Sequence, residues 1–307
     1  LALIGLALML ARRTPDRRTG VTLAAVVLGS PLGLALYARD VGRLDALAVV
    51  LLVALVAIPW RRLRTPLAAV GTAVLAAAAA AAEEFLVVFF VPVLLCVMWQ
   101  TLAGRKHRAV WTAAATLPCL LVTALSAIVP VPPSLLQDTT AAARSAGVPP
   151  PAPMVPGQVD HDSVSRLKYG FVENMQAYYA LTTPVGVALT ALIWVAAYLL
   201  LVGLVWHLLG KSQRDRTFRV LTMGFALAAV ALSVAGVDYR RWWALASVAA
   251  LAMILRLTSA PRGPVSRNGT EPTGALGWAA FAGVALFAMP LGPLGMSHLQ
   301  QILRLLP

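Results

Sequence analysis

Very little of this sequence is charged. Asp, Glu, Lys and Arg make up 12% of its 307 residues, where a soluble globular domain carries roughly 25%. With 60% hydrophobic residues and a mean hydropathy of +0.80, that shortage excludes a soluble enzyme. Cysteine is nearly absent. Only Cys96 and Cys119 occur, each inside an apolar run, which excludes a disulfide framework and a cysteine-based metal site. His107, His161, His207 and His298 are scattered without metal-ligand spacing, so neither metal nor cofactor is expected. His161, between Asp160 and Asp162, is the histidine that invites a test. No serine stands in an elbow context, which removes a Ser-His-Asp reading. The chain also lacks a Walker A motif and a G-x-G-x-x-G on a strand, which speaks against ATP-driven transport by this chain alone. Acids are outnumbered, 12 against 25 Lys and Arg, for a formal charge of +13. That excess does not indicate nucleic acid, because the basic residues form short clusters between apolar runs instead of a basic face. It is a membrane topology signal.

Apolar runs are what the chain has in abundance. A helix crossing roughly 30 Å of hydrocarbon needs about 20 mostly apolar residues. Candidates lie at approximately 1–11, 19–38, 46–60, 67–82, 85–101, 109–129, 183–209, 219–237, 242–258 and 275–292. They predict an all-α fold, a polytopic integral membrane helical bundle of about ten transmembrane helices forming one domain over 1–307. The opening LALIGLALML has no starting Met and reads as a truncated N-terminus. The stretch 67–99 would be about 50 Å long as one helix. Glu83 and Glu84 fall near its middle, and the clusters Arg61, Arg62, Arg64 and Arg105, Lys106, Arg108 flank it. Placing both clusters in the cytoplasm requires an even number of crossings between them. The stretch is therefore expected to fold back as two short helices, with the Glu pair at the outer turn. With that fold-back, Lys and Arg favour the inside by about two to one. Most of the carboxylates fall outside, which hints that the outer face carries the chemistry and is equally what ordinary polar outer loops would give.

The one long connection, 130–182, is expected outside the membrane. Its first half is rich in proline and reads as extended and semi-rigid. Its second half predicts an interfacial helix at about 162–180, on the three- and four-residue spacing of Val164, Leu167, Phe171, Met175 and Tyr178. Arg166, Glu173 and Gln176 stand on its other side, so it is either an anchor at headgroup level or a lid over an outward cavity. Residues 259–273 read as a flexible cytoplasmic linker.

Three constellations could carry chemistry. Glu83-Glu84-Phe85, with Pro92 downstream, puts two carboxylates at the mouth of a bundle, where they need water, a cation or an arginine. One of them could act as a general base on an acceptor hydroxyl, or the pair could cap the following helix. Asp238-Tyr239-Arg240-Arg241-Trp242-Trp243 stands where one helix reaches the outer surface and the next leaves it. Arginine suits bidentate phosphate recognition, Asp238 could orient it, and Tyr239 and Trp242 offer faces for sugar rings. The same residues would also make an interfacial aromatic and arginine belt. Asp40-Val41-Gly42-Arg43, near Asp45, repeats the D-x-x-R spacing of Asp238 to Arg241 on the same side. It is either a matching site or a pair of local ion pairs.

The outline resembles the polytopic envelope polysaccharide proteins, the O-antigen-type polymerases and ligases, and more distantly the GT-C glycosyltransferases that use polyprenyl-phosphate sugars. As sequence, the resemblance rests on Glu83–Pro92 and Asp238–Trp243. It implies an essential acid in an early outer loop, matched by Asp40 or Asp45, and outer-loop arginines, matched by Arg144, Arg166, Arg240 and Arg241. It also implies glycosyl transfer from a polyprenyl-linked donor on the outer face of the bacterial cytoplasmic membrane. Glu84 or Glu83 would activate the acceptor, Arg240 and Arg241 would hold pyrophosphate, and membrane lipids would be the standing partners. A transporter or flippase, or a non-catalytic scaffold, is the alternative. Polar residues placed symmetrically on both faces would favour transport, and a cavity open only outward would favour transfer.

Overall fold

The computed structural model describes residues 1–14, 16–30, 44–82, 87–128, 184–209, 216–235 and 239–258, with isolated positions between 134 and 145. The regular elements among these residues are all helices, with no strand. The helices are α1 (Ala2–Ala11), α2 (Arg17–Gly29), α3 (Leu44–Ala57), α4 (Thr65–Ala82), α5 (Val87–Thr101), α6 (Arg108–Ile128), α7 (Pro184–Leu208), α8 (Arg216–Ala235) and α9 (Tyr239–Thr258). By length and apolarity, α4, α6, α7 and α9 each hold an 18-residue stretch able to cross a membrane. The expected interfacial helix at 162–180, the linker at 259–273 and the run at 275–292 lie outside the described residues.

Local sequence sets the helix ends. Asp16 caps α2, its carboxylate accepting from the Thr19 amide at 2.9 Å and the Thr19 hydroxyl at 2.7 Å. The apolar run expected at 46–60 stops as a helix at Ala57. Pro59 follows, and a 3-10 turn spans Trp60–Arg62. After α5 the chain turns through Gly104, whose φ of +76° is the left-handed geometry that glycine adopts without strain. Buried threonines satisfy their own hydroxyls within the helix. Thr72 donates to the Ala68 carbonyl at 2.7 Å and Thr116 to the Thr112 carbonyl at 2.9 Å, which lets a polar side chain sit in an apolar bundle.

Packing follows the small residues. Helix α4 carries Ala68, Ala69, Thr72, Ala76, Ala79 and Ala80 as its buried stripe and lies along α6, whose Thr112, Ala115, Thr116 and Cys119 repeat at three- and four-residue steps. Small side chains let two backbones approach closely without a hydrophobic drive between them. Gly71 on α4 serves the same end, because a β-carbon there would stand 2.8 Å from the Trp60 ring. The indole of Trp60 is buried and donates to the Leu55 carbonyl at 2.7 Å, which pins the turn between α3 and α4.

The centre of the bundle is α9. It packs against α1, α3, α5, α7 and α8, and every residue from Trp242 to Leu255 is buried. A helix covered on all sides must be apolar all round. The run WWALASVAALAMIL meets that condition, with the Ser247 hydroxyl returned to the Trp243 carbonyl at 2.8 Å.

Cross-helix bonds show which helix ends lie together. Arg105 donates to the Thr65 hydroxyl at 2.6 Å, Arg61 to the Gln100 carbonyl at 3.1 Å, and Arg256 to the Thr101 hydroxyl at 3.1 Å. The start of α4 and the ends of α5 and α9 therefore meet at one arginine-rich end. Helices α4 and α5 are thus a fold-back with both basic clusters on one side, as the parity of charges predicts.

Candidate functional site

Of the sequence-derived candidates, the described segment Tyr239–Trp242 begins α9, at the end of that helix away from Arg256. There, Tyr239 to Trp243 form the first turn of α9 and belong to the helix itself instead of the connection before it. Arg241 lies with its guanidinium carbon 5.1 Å from the centre of the Trp242 ring, within the range of a cation–π contact. The Trp242 side chain is 5% exposed and that of Trp243 is fully buried.

Beneath this turn is an aromatic cluster that periodicity alone does not single out. The rings of Trp243 and Tyr198 are 5.7 Å apart and inclined at 57°. Tyr198, buried on α7, donates its hydroxyl to the Thr222 carbonyl on α8 at 3.0 Å. Trp194 stands one turn away on the face of α7 that carries Tyr198, and it too is buried. The indole N–H groups of Trp194 and Trp243 have no hydrogen-bond acceptor among the described residues. Buried Trp N–H groups ordinarily find a partner. The cluster therefore presents unused donors, suited to an oxygen acceptor, close to the Arg241 turn. The only hint of it in the sequence is tryptophan and tyrosine four residues apart inside a long apolar run.

Of the other candidates, Glu83, Glu84, Asp238, Asp40, Arg43 and Arg166 lie outside the described residues, as do Arg144 and His161, whereas Asp45 is placed as helical backbone at the start of α3. Tyr239 and Arg240 are placed as helical backbone at the start of α9. Among the described residues, no group of three or more His, Cys, Asp and Glu side chains could hold a metal ion.

The arginine-rich end is tied by further bonds. Besides its bond to Thr65, Arg105 donates to the carbonyls of Arg61 and Leu63, both at 3.2 Å. Arg108 donates through Nε to the Trp99 carbonyl at 2.7 Å, and through Nη2 to the same oxygen. Its guanidinium carbon lies 3.7 Å from the centre of the Trp99 ring. Trp206 on α7 stacks on Phe218 of α8 at 4.1 Å and 9°, joining the end of one helix to the start of the next. Charge clustering marks these arginines only as a topology signal. Their role as ties between helices needs the fold, because their partners are backbone carbonyls and threonine hydroxyls up to 155 positions away. Compared with known protein families, curated proteins and solved structures, the chain matches none.

Proposed function

We propose that this integral membrane protein transfers or polymerises sugars from a polyprenyl-linked donor, working from the bundle end opposite its arginine ties. That end faces the outside of the bacterial cytoplasmic membrane, because clustered Lys and Arg remain inside. In this reading Arg241 and Arg240 hold the pyrophosphate, and Asp238 orients Arg241. Glu84 or Glu83 activates the acceptor hydroxyl, and the aromatic residues around Trp242 bind sugar. Burial of the Trp242 ring means that a sugar would reach its edge and not its open face.

The observation that favours this reading over transport is the set of arginine ties at one end of the bundle. Bonds from Arg61, Arg105 and Arg256 join α4, α5 and α9 and their flanking turns there, and a carrier whose cycle parted these helices would have to break such ties each time. The unused N–H donors of Trp194 and Trp243 near Arg241 add acceptor-binding capacity on the side where a pyrophosphate donor would dock.

The test is lipid-linked saccharide profiling of cells lacking the protein, complemented with wild type, Glu84→Gln or Arg241→Ala. Accumulation of a short lipid-linked precursor with both variants, at normal membrane levels, is the expected result. Full polymer synthesis by a correctly inserted Arg241→Ala protein removes the phosphate role, and an unchanged profile in the deletion removes the glycosyl-transfer reading.

A further inference from the structure

A cleft of about 820 Å³ opens between α5, α6, α8 and α9, walled by Leu95, Trp99, Ala113, Val220 and Met253, with Arg216 at its edge. That volume falls in the roughly 300–1,000 Å³ range of small-molecule sites. Its walls are apolar, and Leu95, Trp99 and Val220 are exposed. The cleft therefore opens sideways, onto the surface that hydrocarbon chains cover in a membrane-spanning bundle.

The cleft has a polarity set by where its residues sit. Arg216 begins α8, Ala109 follows Arg108 at the start of α6, and Met253 stands one turn before Arg256 near the end of α9. All of these belong to the arginine-rich end. Four other arginines there are engaged: Arg61 and Arg105 bond to backbone carbonyls, Arg108 to Trp99, and Arg256 to Thr101. Arg216 is exposed and has no hydrogen bond or ion pair among the described residues. Among the described residues, no carboxylate lines the cleft. The carboxylates with described side chains are Asp16, engaged in capping α2, and Asp138, and neither lines the walls.

An apolar slot open to the bilayer, with one unengaged guanidinium at its mouth, is complementary to an amphiphile with a hydrocarbon chain and an anionic head. We propose that this cleft binds an anionic glycerophospholipid of the leaflet on the arginine-rich side. Arg216 holds its phosphate, and one acyl chain lies along Leu95, Trp99 and Val220. A free phosphate gains nothing from the apolar walls, which is why the chain-bearing lipid is the occupant. The site lies at the opposite end from Arg241 and does not depend on the glycosyl-transfer reading.

The test uses the purified full chain, delipidated in detergent and offered equal amounts of dioleoyl phosphatidylglycerol and dioleoyl phosphatidylcholine, with bound lipid read by native mass spectrometry. Wild type is expected to retain phosphatidylglycerol with several-fold preference. Arg216→Gln loses the preference, and Ala113→Phe, which fills the slot, loses both lipids. Arg62→Gln removes an exposed arginine outside the cleft and keeps the preference. All three positions are exposed, so the variants are expected to fold, and unchanged melting temperatures check this. Equal retention of the two lipids overturns the proposal, as does an equal loss with Arg62→Gln. Displacement of phosphatidylglycerol by inorganic phosphate would make the site one for free anions. Displacement by substoichiometric polyprenyl phosphate would assign it to the carrier lipid, and either result overturns the glycerophospholipid assignment.

Discussion

Arg105 donates to the Thr65 hydroxyl at 2.6 Å across 40 positions of chain, so the residues before α4 and those after α5 end on the same side of the bundle. This contact turns a parity argument about charge into geometry. An unbroken helix over 67–99 would hold the two basic clusters about 50 Å apart. Because Arg105 also bonds the carbonyls of Arg61 and Leu63, it closes the gap between the two turns with one side chain.

Removing that side chain should therefore cost more than removing a neighbour. Hydrogen bonds from charged donors contribute about 1.5–3 kcal/mol when shielded and less near solvent, so Arg105→Ala should lower stability by about 1–3 kcal/mol. Arg64→Ala, at an exposed position in the same cluster, should stay within about 0.5 kcal/mol. Unfolding of both variants in detergent, followed by tryptophan fluorescence, compares them directly. Equal effects would mean that Arg105 holds nothing.

At Gly71 the contact with the Trp60 ring leaves no room for a methyl group. Gly71→Ala should destabilise by about 1–3 kcal/mol through overpacking, despite alanine's better helix propensity. Pairing it with Trp60→Leu should recover part of the loss, and a double-mutant cycle measures the recovery. Strict additivity would place the two residues out of contact.

Tyr198→Phe tests the link between α7 and α8. It removes one buried hydrogen bond, to the Thr222 carbonyl, while keeping the ring against Trp243. A loss of about 0.5–1.5 kcal/mol is expected. Tyr198→Ala should lose about 3–5 kcal/mol, because it also empties a fully buried aromatic position. If Tyr198→Phe matches Tyr198→Ala, the hydroxyl rather than the ring carries the packing.

Asp16 supplies a pH signature. Its side-chain bond with Thr19 and the Thr19 amide favour the ionised form and hold its pKa below the usual carboxylate value. A depressed folded-state pKa gives stability that is present above the unfolded value of about 3.9 and is lost as the pH falls through the folded value. Asp16→Ala should cost about 0.5–2 kcal/mol at neutral pH. The gap from wild type should narrow as the pH drops below about 4. A gap that stays constant down to pH 3 contradicts the cap.

The helices were legible because apolar run length is a property of sequence, and helices occupy part or all of each expected apolar run from 1–11 to 242–258. The order of burial was not. Of residues Arg241–Thr258, 83% are buried, against 22% of Arg108–Leu125. Yet the former is the least apolar of the four long stretches and contains two arginines. The run between those arginines, Trp242–Leu255, is buried and apolar apart from Ser247, and Arg241 and Arg256 at its two ends lower the mean. Hydropathy ranks helices for exposure to lipid and is silent on which one is central. The candidate site was legible in part. Arg241 beside Trp242 follows from their adjacency, whereas the Trp194–Tyr198–Trp243 cluster depends on how α7 packs on α9. The arginine ties read only as charge, because backbone acceptors leave no mark in a sequence.

The proposed reading requires Glu83 and Glu84 to face the side of the membrane opposite the arginine-rich turns. Cysteine accessibility tests this in a Cys96→Ser, Cys119→Ser background, with Arg62→Cys or Glu84→Cys added singly and a membrane-impermeant maleimide applied to intact cells. The account predicts labelling at position 84 in intact cells and at position 62 only after permeabilisation. Labelling of both from the same side would contradict it.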